Sequence, residues 1–401
     1  MAVSIWEGSK AERVVNALEL VAEAQATTIS KIEDWYTIKR IVDRNMAKTM
    51  LPVGTQISDI WKKTASDTGY TAPWDVVHHY SNGDMALNWH YAIPDGVPFD
   101  EPEAIYYANA DGLAAGQYYI TVGSAYGDGW KVGAHISFTL SEDMVEGDQL
   151  VINFGTNYAL NPSDGRTWNV YAKGSTTSKQ NGVTSEGMNG TELGTIGATN
   201  AHRPEGQLNA ISRCVYGYGR WSQSAIRQWF NSAADAGAWW TPQNNWDRPP
   251  AVATTLRGFL AGYTDDFLQI LKPYPVVTAL NTQEGFSETS ETTYDKIFLP
   301  SLQEMYINPQ LANVEGEAWD YNKALAEESG LTGKFAQGGT YTILRKFNVS
   351  NVTSPVYVWL RSCFRGNAGS AWCVYSSGGV GSNAAYNANR GCPACIIQKS
   401  A

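Results

Sequence analysis

Residues 359–397 decide the fold, and they read WLRSCFRGNAGSAWCVYSSGGVGSNAAYNANRGCPACII. Apolar, strand-like ends enclose a middle that is small, polar and rich in glycine. Along this middle, Trp372 and Val374 alternate with Cys373 and Tyr375. Successive side chains of an extended strand point to opposite faces. We therefore predict a small twisted sheet in which Trp372 and Val374 are buried while Cys373 and Tyr375 are exposed.

The residues around this strand would give its free face a mixture of hydrogen-bond donors, acceptors and aromatic rings. Such a mixture among small residues is typical of antibody-like binding surfaces. The alternative is a glycine-rich surface hairpin that has no partner. The candidate ligand-binding residues are Arg365, Asn367, Ser370, Cys373, Tyr375, Ser377, Ser382, Asn383, Tyr386 and Asn387.

Three short runs in this stretch carry a family resemblance. They are Trp359-Leu-Arg-Ser, a polar stretch that contains Ala-Trp-x-Val and Ser-x-Gly, and a Gly followed by Pro-Ala and apolar residues. Together they resemble the variable proteins of diversity-generating retroelements, among which phage tropism determinants are the best known. The run Ala72-Pro-Trp-Asp-Val-Val-His-His is also similar to phage proteins, and Ser224-Ala-Ile-Arg-Gln-Trp-Phe-Asn is similar to a helix of lectin-like domains.

The resemblance implies an α+β chain with a C-terminal domain of the C-type-lectin fold. Such a domain tolerates substitution at a fixed set of surface positions, and the variable region would lie at about 361–391. The ending departs from the family, because Gly391-Cys-Pro-Ala-Cys is shorter and carries two cysteines. This departure bears on the register of the last strand.

The chain is predicted to have three parts: a helical segment at 1–50, a β-rich accessory domain at 51–155 and the C-type-lectin-like domain at 156–401. In the first part a heptad seam favours an oligomerising stem, and the alternative is a helix packed on its own domain. The seam consists of Val14, Leu18, Val21, Ile32, Trp35, Val42 and Met46.

The second and third parts differ in the pattern of their apolar residues. Alternation predicts strands at 117–122, 134–140 and 149–154. Further along, Ser222 is predicted to cap a helix, and a second short helix is predicted to begin at Pro300. The buried face of the first helix would consist of Ile226, Trp229, Phe230 and Ala233.

Composition excludes several classes of partner. The 401-residue chain has a net charge of −10 and no run of Lys or Arg, which argues against nucleic acid. No stretch of about 20 apolar residues is present, so no membrane insertion is expected. The N-terminus lacks the pattern of a signal peptide. Only 17% of residues are charged, while 15 Trp and 22 Tyr fit a protein that presents aromatic area to partners.

The five cysteines are Cys214, Cys363, Cys373, Cys392 and Cys395, and an odd number argues against a disulfide framework. Cys392-Pro-Ala-Cys395 has the spacing of a redox or zinc site. No helix is expected after it and no second such pair exists, so buried structural thiols are the favoured interpretation.

Other chemistry receives little support from the sequence. His78, His79 and His90 lie in one predicted β region, and histidines satisfied by local hydrogen bonds are favoured over a metal site. Catalytic motifs for metalloproteases, serine hydrolases and nucleotide binding are missing from the sequence. The motifs of calcium-dependent sugar binding are missing too, while a structural ion stays an open alternative. We expect no cofactor and no metal.

These observations lead to a hypothesis about function. We expect a non-catalytic receptor-binding protein on the surface of a phage particle, in a tail or head fibre. Its partners would be a bacterial surface protein or glycan and other virion proteins, and multivalent display predicts a homotrimer. The alternatives are an enzyme on the same fold, such as a formylglycine-generating-type oxidase or a cell-wall hydrolase, and a purely structural virion protein.

Overall fold

The computed structural model combines helices with mainly antiparallel sheets, which confirms the mixed α+β class. Within the part of the chain that it describes, no helix is both long enough and apolar enough to cross a membrane. The described residues are 34–101, 104–107, 114–122, 135–143, 149–152, 168–172, 177–180, 183–186, 192–196, 218–243, 247, 249–280, 289–311, 314–365 and 369–400.

The described residues contain five α-helices and 22 strands. The helices are α1 (Trp35–Asp43), α2 (Ala47–Met50), α3 (Ala225–Phe230), α4 (Asp265–Ile270) and α5 (Asp320–Glu328). The strands are β1 (Gln56–Ile57), β2 (Ile60–Trp61), β3 (Tyr70–Thr71), β4 (Trp74–His79), β5 (Met85–Trp89), β6 (Ala104–Tyr107), β7 (Gly116–Val122), β8 (His135–Leu140), β9 (Gln149–Ile152), β10 (Trp168–Ala172), β11 (Thr177–Gln180), β12 (Val183–Glu186), β13 (Glu192–Ile196), β14 (Tyr274–Ala279), β15 (Ser290–Asp295), β16 (Lys346–Asn348), β17 (Asn351–Val356), β18 (Val358–Cys363), β19 (Ser370–Val374), β20 (Val380–Ala384), β21 (Arg390–Gly391) and β22 (Ala394–Ile397).

The central sheet has the order β1-β4-β5-β22, and all of its pairs are antiparallel. Its C-terminal strand β22 pairs with β5, with Ala394 opposite Asn88. All residues of β5 and β22 are buried. The segment 56–89 therefore shares one sheet and one core with the C-terminus. This corrects the predicted division at 51–155 for that segment, because the apolar strands of both parts complete one sheet.

Helix α1 packs on its own chain. Asp34 caps it, since the Tyr36 backbone N–H donates to Asp34 Oδ1 at 2.9 Å. Trp35 and Val42 are buried in the main core, and the ring of Trp35 lies 4.3 Å from that of Phe267 in α4. These two positions of the predicted seam are thus occupied within the chain, which corrects their assignment to an oligomerising stem. The seam residues Val14, Leu18, Val21 and Ile32 lie outside the described residues.

The strands predicted in the second part are confirmed as β7, β8 and β9. Strands β7 and β8 belong to a four-stranded sheet with the order β13-β10-β7-β8, and β9 pairs with β6. The predicted boundary at 155 lies outside the described residues.

The helix near residue 225 forms, but Ser224 caps it instead of Ser222, since the Arg227 backbone N–H donates to Ser224 Oγ at 3.2 Å. Ile226, Trp229 and Phe230 are buried as predicted. The helix ends at Phe230, before the predicted Ala233. Asn231 follows as the C-cap, and its side-chain amide donates to the Ile297 carbonyl at 2.8 Å.

The helix predicted at Pro300 does not form, which is a correction. Residues 302–306 form turns instead. The hydrogen bonding at Ser301 resembles the start of a helix, because the Ser301 backbone N–H donates to the side chain of Glu304, three residues later, at 2.9 Å from Oε2. Tyr306 then adopts a left-handed conformation with φ of 56°, and this stops helical propagation.

Candidate functional site

The C-terminal sheet has the order β20-β19-β18-β21, and it lies between two hydrophobic clusters. On one face, Trp372 and Val374 pack into the smaller cluster. On the other face, Ala371 and Cys373 pack into the main core together with Trp359. The burial of Trp372 and Val374 is confirmed. The prediction that Cys373 is exposed is wrong, because the face opposite Trp372 is also covered; burial also raises the pKa of this thiol.

Tyr375 follows β19 and is partly buried. Its hydroxyl donates to the Ser382 carbonyl at 2.9 Å, and its ring centroid lies 5.0 Å from that of Tyr357. A Cβ on Gly381 would stand 2.2 Å from the hydroxyl oxygen. Glycine at position 381 therefore leaves the space in which Tyr375 lies across β20.

The pleat of the sheet divides the candidate residues. Ser382 lies opposite Trp372, so Ser370 and Ser382 share the face of the smaller cluster. Asn383 lies opposite Ala371, so it shares the face of the main core with Tyr375. The described candidate residues are therefore divided between the two faces of the sheet and do not form one continuous surface on it.

The structure brings Asn383, near the end of β20, together with two asparagines of the loop that follows. The Asn387 amide donates to Asn383 Oδ1 at 2.7 Å, and the Asn383 amide lies 3.5 Å from Asn389 Oδ1. The loop is held by its backbone, since the Val97 N–H donates to the Asn389 carbonyl at 3.0 Å. Asn383, Tyr386 and Asn387 are all partly buried.

Two further candidates, Arg365 and Ser377, lie at the two ends of β19. Arg365 is partly buried in the turn before it, where its backbone N–H donates to Gln310 Oε1 at 2.8 Å. Asn367 lies outside the described residues. Ser377 is exposed in the turn after β19, and its carbonyl accepts from Arg345 Nε at 3.3 Å. Arg365 and Ser377 are therefore separated by the length of the strand.

The sequence interpretation missed Tyr357, whose exposed fraction is 41%. It precedes β18 by one residue and packs against Tyr375. The Arg390 backbone N–H donates to its carbonyl at 3.0 Å. Alternation places Tyr357 on the face of the buried Trp359, so the pattern of the sequence did not predict its exposure.

Arg361 of the Trp-Leu-Arg-Ser run has a structural role. Its guanidinium is fully buried, pairs with Glu304 through both Nη atoms, and donates to the Glu315 carbonyl at 2.9 Å. It also donates to the Val277 carbonyl at 3.1 Å. This network ties β18 to β14, and burial raises the pKa of the Glu315 carboxyl within it.

The four described cysteines, Cys363, Cys373, Cys392 and Cys395, are buried free thiols, as favoured for the Cys392–Cys395 pair. Burial raises the pKa of Cys392 to about 11 and also raises that of Cys395. These thiols are poor nucleophiles in the folded chain, because the thiolate is the reactive form.

The three histidines have separate partners, as favoured from the sequence. His78 Nδ1 lies 3.0 Å from Asp320 Oδ2, His79 Nε2 lies 2.9 Å from the Leu51 carbonyl, and His90 Nδ1 lies 2.9 Å from Asp75 Oδ2. Among the described residues, no group of three or more His, Cys, Asp or Glu side chains is placed to hold a metal ion.

Comparison with known proteins gives one likeness. Residues 207–399 match the model of a family described as a domain of unknown function, DUF6273. The matched range includes strands β14 to β22 and all ten candidate residues. Searches of curated proteins and of solved structures gave no match.

Proposed function

We propose that this protein is a non-catalytic ligand-binding protein, displayed on a phage particle, that binds a bacterial surface target through its C-terminal segment. In this proposal its C-terminal domain has the C-type-lectin fold and belongs to the variable proteins of diversity-generating retroelements. The sequence of residues 359–397 is the basis for the class, and the geometry of the C-terminal sheet supports the binding role.

The observation that carries the proposal is the contrast between a fixed backbone and partly exposed side chains. Strands β18 and β19 are held between two hydrophobic clusters, while β20 and its loop present half-exposed polar residues. A rigid scaffold of this kind lets side chains change while the backbone stays in place. Binding residues are commonly found on such loops beside a rigid sheet.

An enzyme on the same fold is the weaker proposal. A formylglycine-generating-type oxidase requires reactive cysteine chemistry, and burial raises the pKa of Cys373, Cys392 and Cys395. These thiols would stay protonated at neutral pH. The remaining site residues are amides, hydroxyls and arginines, which bind ligands more readily than they transfer protons at neutral pH.

The binding proposal is tested by adsorption of the labelled full chain to a panel of Gram-negative and Gram-positive cells. Replacing Tyr375 and Tyr386 with Ala is expected to weaken adsorption, since loss of one aromatic anchor costs about 2 kcal/mol or more. Tyr294→Ala, at a tyrosine that is 68% exposed on β15, is the matched control. Adsorption that is unchanged in the double variant would remove the C-terminal segment as the binding region.

The retroelement class has a separate, genomic test. The proposal requires an adenine-rich, nearly identical copy of the coding sequence for about 361–391, next to a reverse transcriptase gene. A complete genome without either feature would overturn this class while leaving ligand binding open to the adsorption assay.

Assembly as a homotrimer is a further part of the proposal. Multivalent display strengthens weak binding through effective concentration. Because Trp35 and Val42 pack within the chain, the contacts between copies must come from other residues. Light scattering that shows a monomer at micromolar concentration would contradict this part.

A further inference from the structure

His78, near the end of β4, lies between two carboxylates of the segment that leads into α5. Its Nδ1 atom is 3.0 Å from Asp320 Oδ2, and its Nε2 atom is 3.4 Å from Glu317 Oε2. The first distance is that of a hydrogen bond. The second is longer than the range of about 2.7–3.2 Å that N–H···O hydrogen bonds occupy.

One nitrogen of this ring has no hydrogen-bond partner among the described residues. His78 is 6% exposed, and the nitrogen without a partner is Nε2. A carboxylate only accepts hydrogen bonds, so in a neutral ring Nδ1 carries the proton that Asp320 accepts. The lone pair of Nε2 then faces the carboxylate of Glu317. A buried acceptor without a donor is unfavourable, and a positive charge between the two atoms would stabilise both.

The separation of Nε2 and Oε2 matches that of two ligands on one metal ion. Zinc binds histidine nitrogen at about 2.0–2.1 Å and carboxylate oxygen at about 2.0–2.2 Å, in a tetrahedral arrangement. Two such ligands stand about 3.4 Å apart, since the tetrahedral angle is about 109°. The observed separation is also 3.4 Å. A proton shared by the two atoms would instead hold them within hydrogen-bond distance.

The surroundings of His78 are those of a metal-binding histidine. Such a histidine commonly donates its other ring N–H to a carboxylate, which fixes the tautomer and raises the basicity of the ligating nitrogen. Asp320 has this position, and its Oδ1 atom accepts from Lys323 Nζ at 2.8 Å. The ring of Tyr80 packs edge-on against that of His78, with the centroids 4.7 Å apart. The orientation of the imidazole is therefore set from two sides.

The backbone beside Glu317 is anchored while its side chain is exposed. Trp319 is fully buried, and its backbone N–H donates to the Glu304 carbonyl at 3.1 Å. The Glu317 side chain is 68% exposed. An ion between Nε2 and this carboxylate can consequently enter from solvent and keep water on its open side.

We propose that His78 and Glu317 bind a divalent transition-metal ion of the zinc type. The ligands are His78 Nε2 and the Glu317 carboxylate, while Asp320 orients the imidazole. Among the described residues these two side chains supply the donors, so water fills the remaining positions. Imidazole nitrogen suits zinc, copper and nickel, whereas Mg²⁺ and Ca²⁺ take oxygen ligands. The ion joins β4 to the segment before α5, a role separate from ligand binding by the C-terminal segment.

The test is a calorimetric titration of the full chain with ZnCl₂, after dialysis against EDTA and transfer to a metal-free buffer. We expect a saturable site that binds Zn²⁺, with Mg²⁺ and Ca²⁺ bound at least about tenfold more weakly because one ligand is a nitrogen.

Variants assign the binding to this site. Glu317→Gln, at an exposed position, should weaken Zn²⁺ binding at least about tenfold, since even the partner of a ligand contributes about 10–100-fold to affinity. Asp320→Asn should weaken it by about that factor, and His78→Gln should abolish it. The matched controls are Glu327→Gln, at an exposed carboxylate of α5, and His90→Gln, at a histidine that also pairs with a carboxylate through Nδ1.

Several results would overturn the zinc proposal. These are no saturable Zn²⁺ binding, binding that Glu317→Gln leaves unchanged, and binding that His90→Gln removes as fully as His78→Gln. Equal affinity for Mg²⁺ would indicate oxygen ligands alone and would overturn it too. Adsorption to cells tests the proposed function separately, so either proposal can fall while the other stands.

Discussion

Strands β19 and β20 belong to one glycine-rich hairpin, yet they differ in exposure. In β19 the residues from Ala371 to Val374 are all buried, whereas in β20 only Val380 is buried and the other four are half-exposed. The two strands also differ in composition, since β19 reads SAWCV and β20 reads VGSNA. Their positions differ, because β19 lies between β18 and β20 while β20 has a single neighbour at the edge of the sheet. Composition and position in the sheet together decide which residues are available to a ligand.

The face that seemed free in the sequence is covered by a distant segment. The Phe99 ring lies 5.2 Å from that of Trp359, and the Phe99 backbone N–H donates to the Ala385 carbonyl at 2.9 Å. This segment therefore packs on Trp359 of β18 and is hydrogen-bonded to the residue that follows β20. Substitutions in the two strands should consequently have very different effects.

The largest expected difference is in thiol reactivity. Native Cys373 should react with iodoacetamide at pH 8 more than about a thousandfold more slowly than a cysteine introduced by Ser377→Cys in the exposed turn. Burial raises the pKa of Cys373, and a central strand opens only with much of the global unfolding free energy. Peptide mapping by mass spectrometry measures both rates. Similar rates would show that β19 is accessible.

Trp372→Ala should lower the free energy of unfolding by about 3–5 kcal/mol, as large aromatic truncations in cores do. The Trp372 ring is 4% exposed and packs 5.2 Å from that of Phe364. The matched change in the edge strand, Asn383→Ala, should cost no more than about 1 kcal/mol. Urea denaturation compares them, and equal losses would contradict the difference between the strands.

Cys373→Tyr introduces a side chain that would be tolerated at a variable surface position. Because Cys373 is completely buried, we expect a loss of about 1–3 kcal/mol from overpacking. Ser377→Tyr in the exposed turn should stay within about 0.5 kcal/mol. An unchanged free energy of unfolding in Cys373→Tyr would show that the main core accommodates the larger side chain. Position 373 would then belong to the substitutable positions.

Gly381→Ala should have the smallest effect, about 1 kcal/mol. The added Cβ displaces Tyr375 and breaks the hydrogen bond from its hydroxyl to the Ser382 carbonyl. Gly333→Ala, where a Cβ would meet open space, is the control. In a Tyr375→Leu background the cost of Gly381→Ala should largely vanish. A cost that persists would place the strain elsewhere in β20.

The sequence predicted local structure better than it predicted the site. Alternation identified β7, β8, β9 and the burial of Trp372, because each depends on neighbours along the strand. The burial of Cys373 in the main core depends on contacts between residues distant in sequence, which a period of two does not encode. Tyr357 escaped notice for the same reason, since its exposure depends on where β18 begins relative to β16 and β21.

The helices show a similar limit. Ser222 and Ser224 both have a side-chain hydroxyl that can cap a helix. Because residues 221–223 form a separate 3-10 turn, the α-helix begins after it and Ser224 is the cap. At Pro300 the local signals for a helix are present, but the buried pair of Glu304 with Arg361 engages that segment in tertiary contacts. Local preference is weak compared with such contacts.

The pairing of β22 with β5 has a kinetic consequence. The Asn88 side chain donates to the Cys392 carbonyl across 304 residues of chain, and closing a loop of that length costs about 5 kcal/mol of entropy. Before β22 pairs with it, β5 has an unpaired edge during folding. Strands of other chains can pair with such an edge. Refolding should therefore be slow and sensitive to concentration, since contacts between distant parts of the chain must form before the central sheet is complete.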